Sequence, residues 1–108
     1  MEVLTLMSAR VSVALLGQTA LKELKAHARK LLPESEPLLE MWSGRIEDWI
    51  TYAEVRRAME DKGWYERKVC RCLHKLTEEG MLDKARRDGR SCYRPSPKKL
   101  QLLLALDV

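Results

Sequence analysis

A mainly α-helical chain with one small β-hairpin is the fold class this sequence predicts, and three observations predict it. Between Thr51 and Glu79, apolar residues recur at helical spacing, first Val55, Ala58 and Met59, then Val69, Leu73 and Leu76. Gly63 and Gly80 close the two runs, as glycine does where a helix ends in a left-handed turn. Behind them Arg87-Asp88-Gly89-Arg90 separates two short segments, and an Asp-Gly pair in that place favours a two-residue hairpin turn.

The composition sets the outer limits. At 108 residues, 45% hydrophobic and 33% charged, the chain is long enough for one folded domain and too apolar for disorder. A chain this short buries only around two-thirds of its unfolded surface, so dimerisation would help it. A net charge of +4 and a pI near 9.1 favour an anionic partner without naming it. The start carries no secretory signal and no apolar run reaches membrane-spanning length, so a soluble cytoplasmic protein is expected. Three cysteines cannot all pair with one another, and a reduced compartment is the simplest reading.

Residues 1–34 read as a helical extension and a dimer arm. Leu4, Met7, Val11, Ala14, Gln18, Leu21, Lys25, Ala28 and Leu32 form a heptad-like seam with two polar interruptions. Val3-Leu4-Thr5-Leu6 and Val11-Ser12-Val13 could instead be short strands. Gly17 could also divide the segment, leaving a firmer helix from Gln18 to Leu32 with Leu21, Leu24, Ala28 and Leu31 inward. Packing within the same subunit competes evenly with the dimer arm. Pro33 and Pro37 mark a connector in which Ser35 suits an N-cap and Pro37 a first helical turn. Leu38, Leu39, Met41 and Trp42 then make a short apolar helix, Ser43-Gly44 interrupts it, and Ile46, Trp49 and Ile50 resume the core.

Thr51 and Glu54 fit a T-x-x-E capping box, so the next helix starts there and runs to about Asp61. A second follows from about Tyr65 to Glu79. A hairpin spans about Met81 to Arg94 and is stopped by Pro95 and Pro97, while Ile50-Thr51 adds a small strand beside it. Helix, tight turn, helix and hairpin in this order make a winged helix-turn-helix, assigned to residues 35–97. Trp42, Trp49 and Trp64 read as core or edge-of-core anchors rather than ligand-stacking groups, because a small core needs their area. Residues 98–108 form a last helix, with Ser96-Pro97 as cap and first turn. Leu100, Leu102, Leu103, Leu104, Ala105 and Leu106 surround it almost completely, so it needs a second cover, and a partner subunit is preferred to the chain's own first helix.

The outer side of the second helix carries the functional signal. Arg67, Arg71, His74 and Lys75 share a face, with Lys68 beside them, and Arg86, Arg87 and Arg90 stand at the hairpin tip. From Lys62 to Lys99 there are twelve Lys and Arg against five Asp and Glu, whereas before Ile50 acids exceed bases by one. Such a helix can lie in the major groove, where Arg and Lys meet phosphates and guanine edges. A charged face is often only a solvated face. Here helix and hairpin tip are basic together and in the right order, which favours nucleic-acid binding.

The same segment resembles a known family. Val69-Cys70-Arg71-Cys72-Leu73, Leu76, Glu78, Gly80-Met81-Leu82, Arg86-Arg87-Asp88-Gly89-Arg90 and Tyr93-Arg94 are similar to the recognition helix and wing of ArsR-type repressors. MarR-like regulators share much of that pattern. The resemblance covers roughly the second half of the chain and implies a dimeric transcription regulator that reads operator DNA. Nothing before residue 50 matches, so the resemblance says little about the signal to which such a regulator responds.

Other chemistry is weaker. Cys70, Cys72 and His74 are soft metal ligands in a C-x-C-x-H pattern, with Cys92 on the wing. Residues 70 and 74 share a helix face, but 72 points the opposite way, so no closed site forms within the helix. In the family it resembles, a Cys-x-Cys metal box lies on the preceding helix, which here has no cysteine. Small buried cysteines are preferred, no metal or cofactor is expected, and redox sensing through Cys70 or Cys92 stays open without further support, as does a small-molecule effector. Nor is an enzyme expected. There is no glycine-rich phosphate loop, His27 and His74 lie in charged helical faces, and the adjacent pairs Glu47-Asp48 and Glu78-Glu79 do not converge. The expected function is sequence-specific double-stranded DNA binding by a homodimeric regulator. The alternative is a winged helix used as a protein-interaction module.

Overall fold

In the computed structural model the backbone is described for residues 2–106 and the side chains for residues 17–105. Helix α1 spans Glu2–Leu31. A 3-10 turn at Pro33–Ser35, helix α2 at Glu36–Leu39 and a second 3-10 turn at Glu40–Trp42 follow. Strand β1 is Ile50–Thr51, helix α3 Tyr52–Glu60 and helix α4 Glu66–Glu78. Strands β2, Leu82–Arg87, and β3, Arg90–Pro95, lead to helix α5, Pro97–Leu106. The chain is thus mainly helical with one small three-stranded antiparallel sheet, ordered β1-β3-β2.

The local signals from Thr51 onward act as their chemistry requires. Thr51 Oγ1 accepts the Glu54 N–H at 3.2 Å and starts α3. Gly63, at φ 86°, closes it, with its own N–H on Glu60 O at 2.9 Å and that of Trp64 on Met59 O at 2.9 Å. Gly80 ends α4 in the same way, through Gly80 N–H to Thr77 O and Met81 N–H to Leu76 O. Asp88 and Gly89 both have positive φ, 52° and 74°, the signature of a type I′ hairpin turn between the paired Arg87 and Arg90. The strand runs one residue past expectation: Pro95 is its last position, opposite Leu82, where a missing N–H is tolerated at the end of the ladder. Ile50 and Thr51 pair with Tyr93 and Cys92. Ser96 caps α5, accepting the Lys99 N–H at 3.3 Å.

The first third of the chain departs from several expectations. Helix α1 is unbroken, so Gly17 does not divide it and residues 3–6 and 11–13 are helix, not strands. One glycine costs a helix only about 1 kcal/mol, which its long neighbouring runs absorb. The heptad-seam positions from Leu4 to Ala14 lie outside the described side chains. Beyond them Ala20, Leu21, Leu24 and Ala28 are buried. Leu31 is 42% exposed rather than inward, because α1 ends there and Leu32 turns into Pro33 as the partly buried residue. Ser35 stands at the N-cap position of α2, but its side chain makes no capping bond there. The residue is helical itself, and its hydroxyl donates backwards to Leu32 O at 2.8 Å.

One core joins these elements. Leu21, Leu24 and Ala28 of α1 pack with Leu38, Leu39, Trp42, Val55, Met59, Val69, Leu73 and Leu76. Ile50, Leu82 and Tyr93 close it from one face of the sheet. Trp42 is fully buried and its Nε1 donates to Asp48 O at 2.9 Å, fastening the loop that leads into β1. Helix α5 lies along α1, with Leu100 and Leu103 against the core and Leu102 54% exposed. The first helix of the same chain therefore covers one side of α5 and leaves another side open.

Candidate nucleic-acid interface

Helix α4 buries Val69, Cys72, Leu73 and Leu76 and so must turn the residues between them outward. Arg67, Arg71 and His74 form the exposed ridge, with the His74 side chain 81% exposed. Lys75 is half-buried on one flank, 3.3 Å from Glu79, and His74 Nε2 lies 3.9 Å from Glu78. Lys68 turns further inward, with its ammonium 4.2 Å from the centroid of the Trp64 ring. Arg67 has no ion pair among the described residues, so its guanidinium is available to an outside anion.

A contact from outside the basic half changes this face. Glu34, in the turn after α1, accepts from Arg71 Nη2 at 3.0 Å and lies 4.0 Å from Lys68 Nζ. Its bond holds Arg71 more firmly in the charged form. The same carboxylate lies 3.9 Å from Cys72 Sγ. Periodicity on α4 carries no signal of this contact, because the partners stand far apart in sequence.

The hairpin divides its arginines. Alternation along the strands puts Leu82, Lys84 and Arg86 on the side of Tyr93, which covers the helices, while Arg87, Arg90 and Arg94 take the outer side. There the Arg94 guanidinium lies 4.4 Å and that of Arg87 5.8 Å from the Trp49 ring centroid. Arg86 and Lys84 thus extend the helix-facing side, while Arg87 and Arg90 border the back of the hairpin. Lys84, Arg94 and Glu34 are the charged residues at this site that helix patterning did not pick out. Alternation from Tyr93 along the predicted hairpin was a usable signal for Lys84.

No family model, no curated protein and no solved structure matches this chain. What the site can do is therefore read from its side chains.

The cysteines separate by environment. Cys70 is exposed, while Cys72 and Cys92 are buried, so Cys92 does not reach the surface from the wing. Cys70 Sγ lies 3.2 Å from the Tyr52 hydroxyl, which also donates to Glu66 Oε1 at 3.2 Å. These neighbours push the Tyr52 pKa above its ordinary value, the Cys70 hydrogen bond most of all. Burial, aided by Glu34, raises the Cys72 thiol from 9.0 to about 11. Among the described residues no group of three or more His, Cys, Asp or Glu is arranged to hold a metal ion. At about pH 8 a thiol reagent should titrate Cys70 rapidly and Cys72 and Cys92 only on unfolding. Peptide mapping checks this, and fast labelling of Cys72 would contradict it. The protonated Cys72 contributes stability that is fully present below pH 9.0 and lost as pH rises through about 11.

Among the described residues no helix is long and apolar enough to cross a membrane.

Proposed function

We propose that this chain is a small transcription regulator of the winged helix-turn-helix type that binds double-stranded DNA as a homodimer. One observation carries the reading. An exposed ridge of Arg67, Arg71 and His74 runs along α4, beside a hairpin whose helix-facing side continues outward as Lys84 and Arg86. A cationic helix ridge of that kind suits the major groove, where arginine can bond guanine edges, and a basic hairpin suits the neighbouring phosphates. In this reading α4 is the recognition helix, β2 and β3 are the wing, and Arg87 and Arg90 follow the backbone at the wing tip. The exposed Leu102 of α5 supplies apolar surface for a second copy, alongside α1.

A second reading is a winged helix used for protein interaction, and one observation favours it. Arg71 and Lys75 each have a carboxylate within 4 Å, so part of this face's charge is already paired internally. The test is binding to short duplexes over a salt series, with the stoichiometry measured. A DNA reader should lose affinity steeply as salt rises, because cations displaced from phosphates are returned to solution. Two chains per selected site should be found. Absence of binding at low salt would favour the interaction module.

A further inference from the structure

We propose that Glu34 is a positioning residue that sets selectivity on the α4 face, by holding Arg71 and opposing phosphate there. The inference rests on the DNA-reading role proposed above.

Glu34 is not a loose surface acid. It sits in the 3-10 turn Pro33–Ser35, where Pro33 restricts the backbone and Ser35 bonds back to Leu32 O. The next acid, Glu36, is tied to α1 through Arg29 at 3.0 Å. The turn therefore delivers the Glu34 carboxylate to the flank of α4 as part of the fold. Its side chain is 35% exposed, so it faces solvent and any ligand that reaches Arg71.

The consequence differs for the two kinds of DNA contact. Arg71 gives one Nη2 donor to Glu34, while its planar fork has further N–H donors. A guanine edge offers two neutral acceptors and can take those donors with Glu34 in place. A phosphate brings negative charge next to the carboxylate and is opposed by it. Lys68, 4.0 Å from the same group, is subject to the same competition. Non-specific binding is built almost wholly from phosphate contacts, whereas specific binding adds base contacts. A fixed acid beside a reading arginine therefore weakens binding to random DNA more than binding to the correct site, which is selectivity by repulsion of the wrong contact.

The experiment compares the full chain with Glu34→Gln, Arg71→Ala and the double variant. Each is titrated against a duplex selected from random sequence and against a scrambled duplex, over a salt series. Glu34→Gln should tighten binding to scrambled DNA about tenfold and steepen its salt slope by about one unit. Binding to the selected site should change less, so the ratio between the two falls. In the Arg71→Ala background the effect of Glu34→Gln on that ratio should largely disappear, a coupling that a general change in stability does not produce. Thermal melts check that each variant is folded, and the partly exposed position favours this. If the wild type binds DNA with a steep salt slope and Glu34→Gln leaves the ratio unchanged, or raises both affinities equally, the role of Glu34 is overturned and DNA reading stands. If neither wild type nor Glu34→Gln binds DNA at low salt, the DNA reading itself fails.

Discussion

Replacing Trp42 with alanine is expected to remove about 3–5 kcal/mol of stability, the usual cost of emptying a fully buried aromatic site. Trp42 has no exposed surface, and it belongs to the core that joins α1 to α3 and α4. The substitution leaves a cavity and also orphans the Asp48 carbonyl, which accepts the indole N–H at 2.9 Å. That bond fastens the loop entering β1, so the edge of the sheet should loosen with it. Small domains are stable by only about 5–15 kcal/mol, so the loss is a large fraction of the whole. Each kcal/mol moves the midpoint of a small domain by roughly 4–8 °C, which predicts a fall of about 15 °C or more. Trp49→Ala is the control. Trp49 is half-buried on the outer face of the sheet under Arg94, and its loss should cost clearly less. Thermal unfolding of the two variants side by side decides it. Equal shifts would mean that Trp42 is not the anchor its burial indicates.

The second large effect is expected in DNA discrimination. Arg67 lies in the first turn of α4 and Arg71 one turn further on, where a helix docked in the major groove reaches base edges. Each bidentate contact to guanine is worth about 1–3 kcal/mol against the wrong base, so Arg67→Ala should cost roughly fivefold to a hundredfold in selectivity. The double variant Arg67→Ala, Arg71→Ala should bring selected and scrambled duplexes close together in affinity. Arg86→Ala, Arg87→Ala and Arg90→Ala combined should behave differently. Contacts to phosphate position a protein without distinguishing sequences, so both duplexes should weaken together. The salt slope should fall by about one unit for each phosphate that is no longer neutralised. The opposed faces of the hairpin refine this expectation. Arg86 shares the helix-facing side with Lys84, while Arg87 lies over Trp49 on the other, so Arg86→Ala should cost more than Arg87→Ala. If both the helix pair and the wing triple leave affinity unchanged, the face is not a DNA reader.

The sequence by itself determined the elements from Thr51 to Ser96, because their signals are local. A threonine three residues before a glutamate, a glycine after an amphipathic run and an Asp-Gly pair each act through backbone groups within a few residues. The same is true of the basic ridge on α4, whose direction follows from what the helix buries. The first third of the chain was less legible. Gly17 leaves a helix continuous or broken according to what packs beside it, and Ser35 turned backward to Leu32 rather than forward to cap. Only the tertiary structure brought Glu34 to Arg71, laid α5 along α1 and put Trp49 beneath Arg87 and Arg94. Those outcomes depend on where distant segments meet, and a single meeting of residues so far apart leaves no periodic trace in the chain.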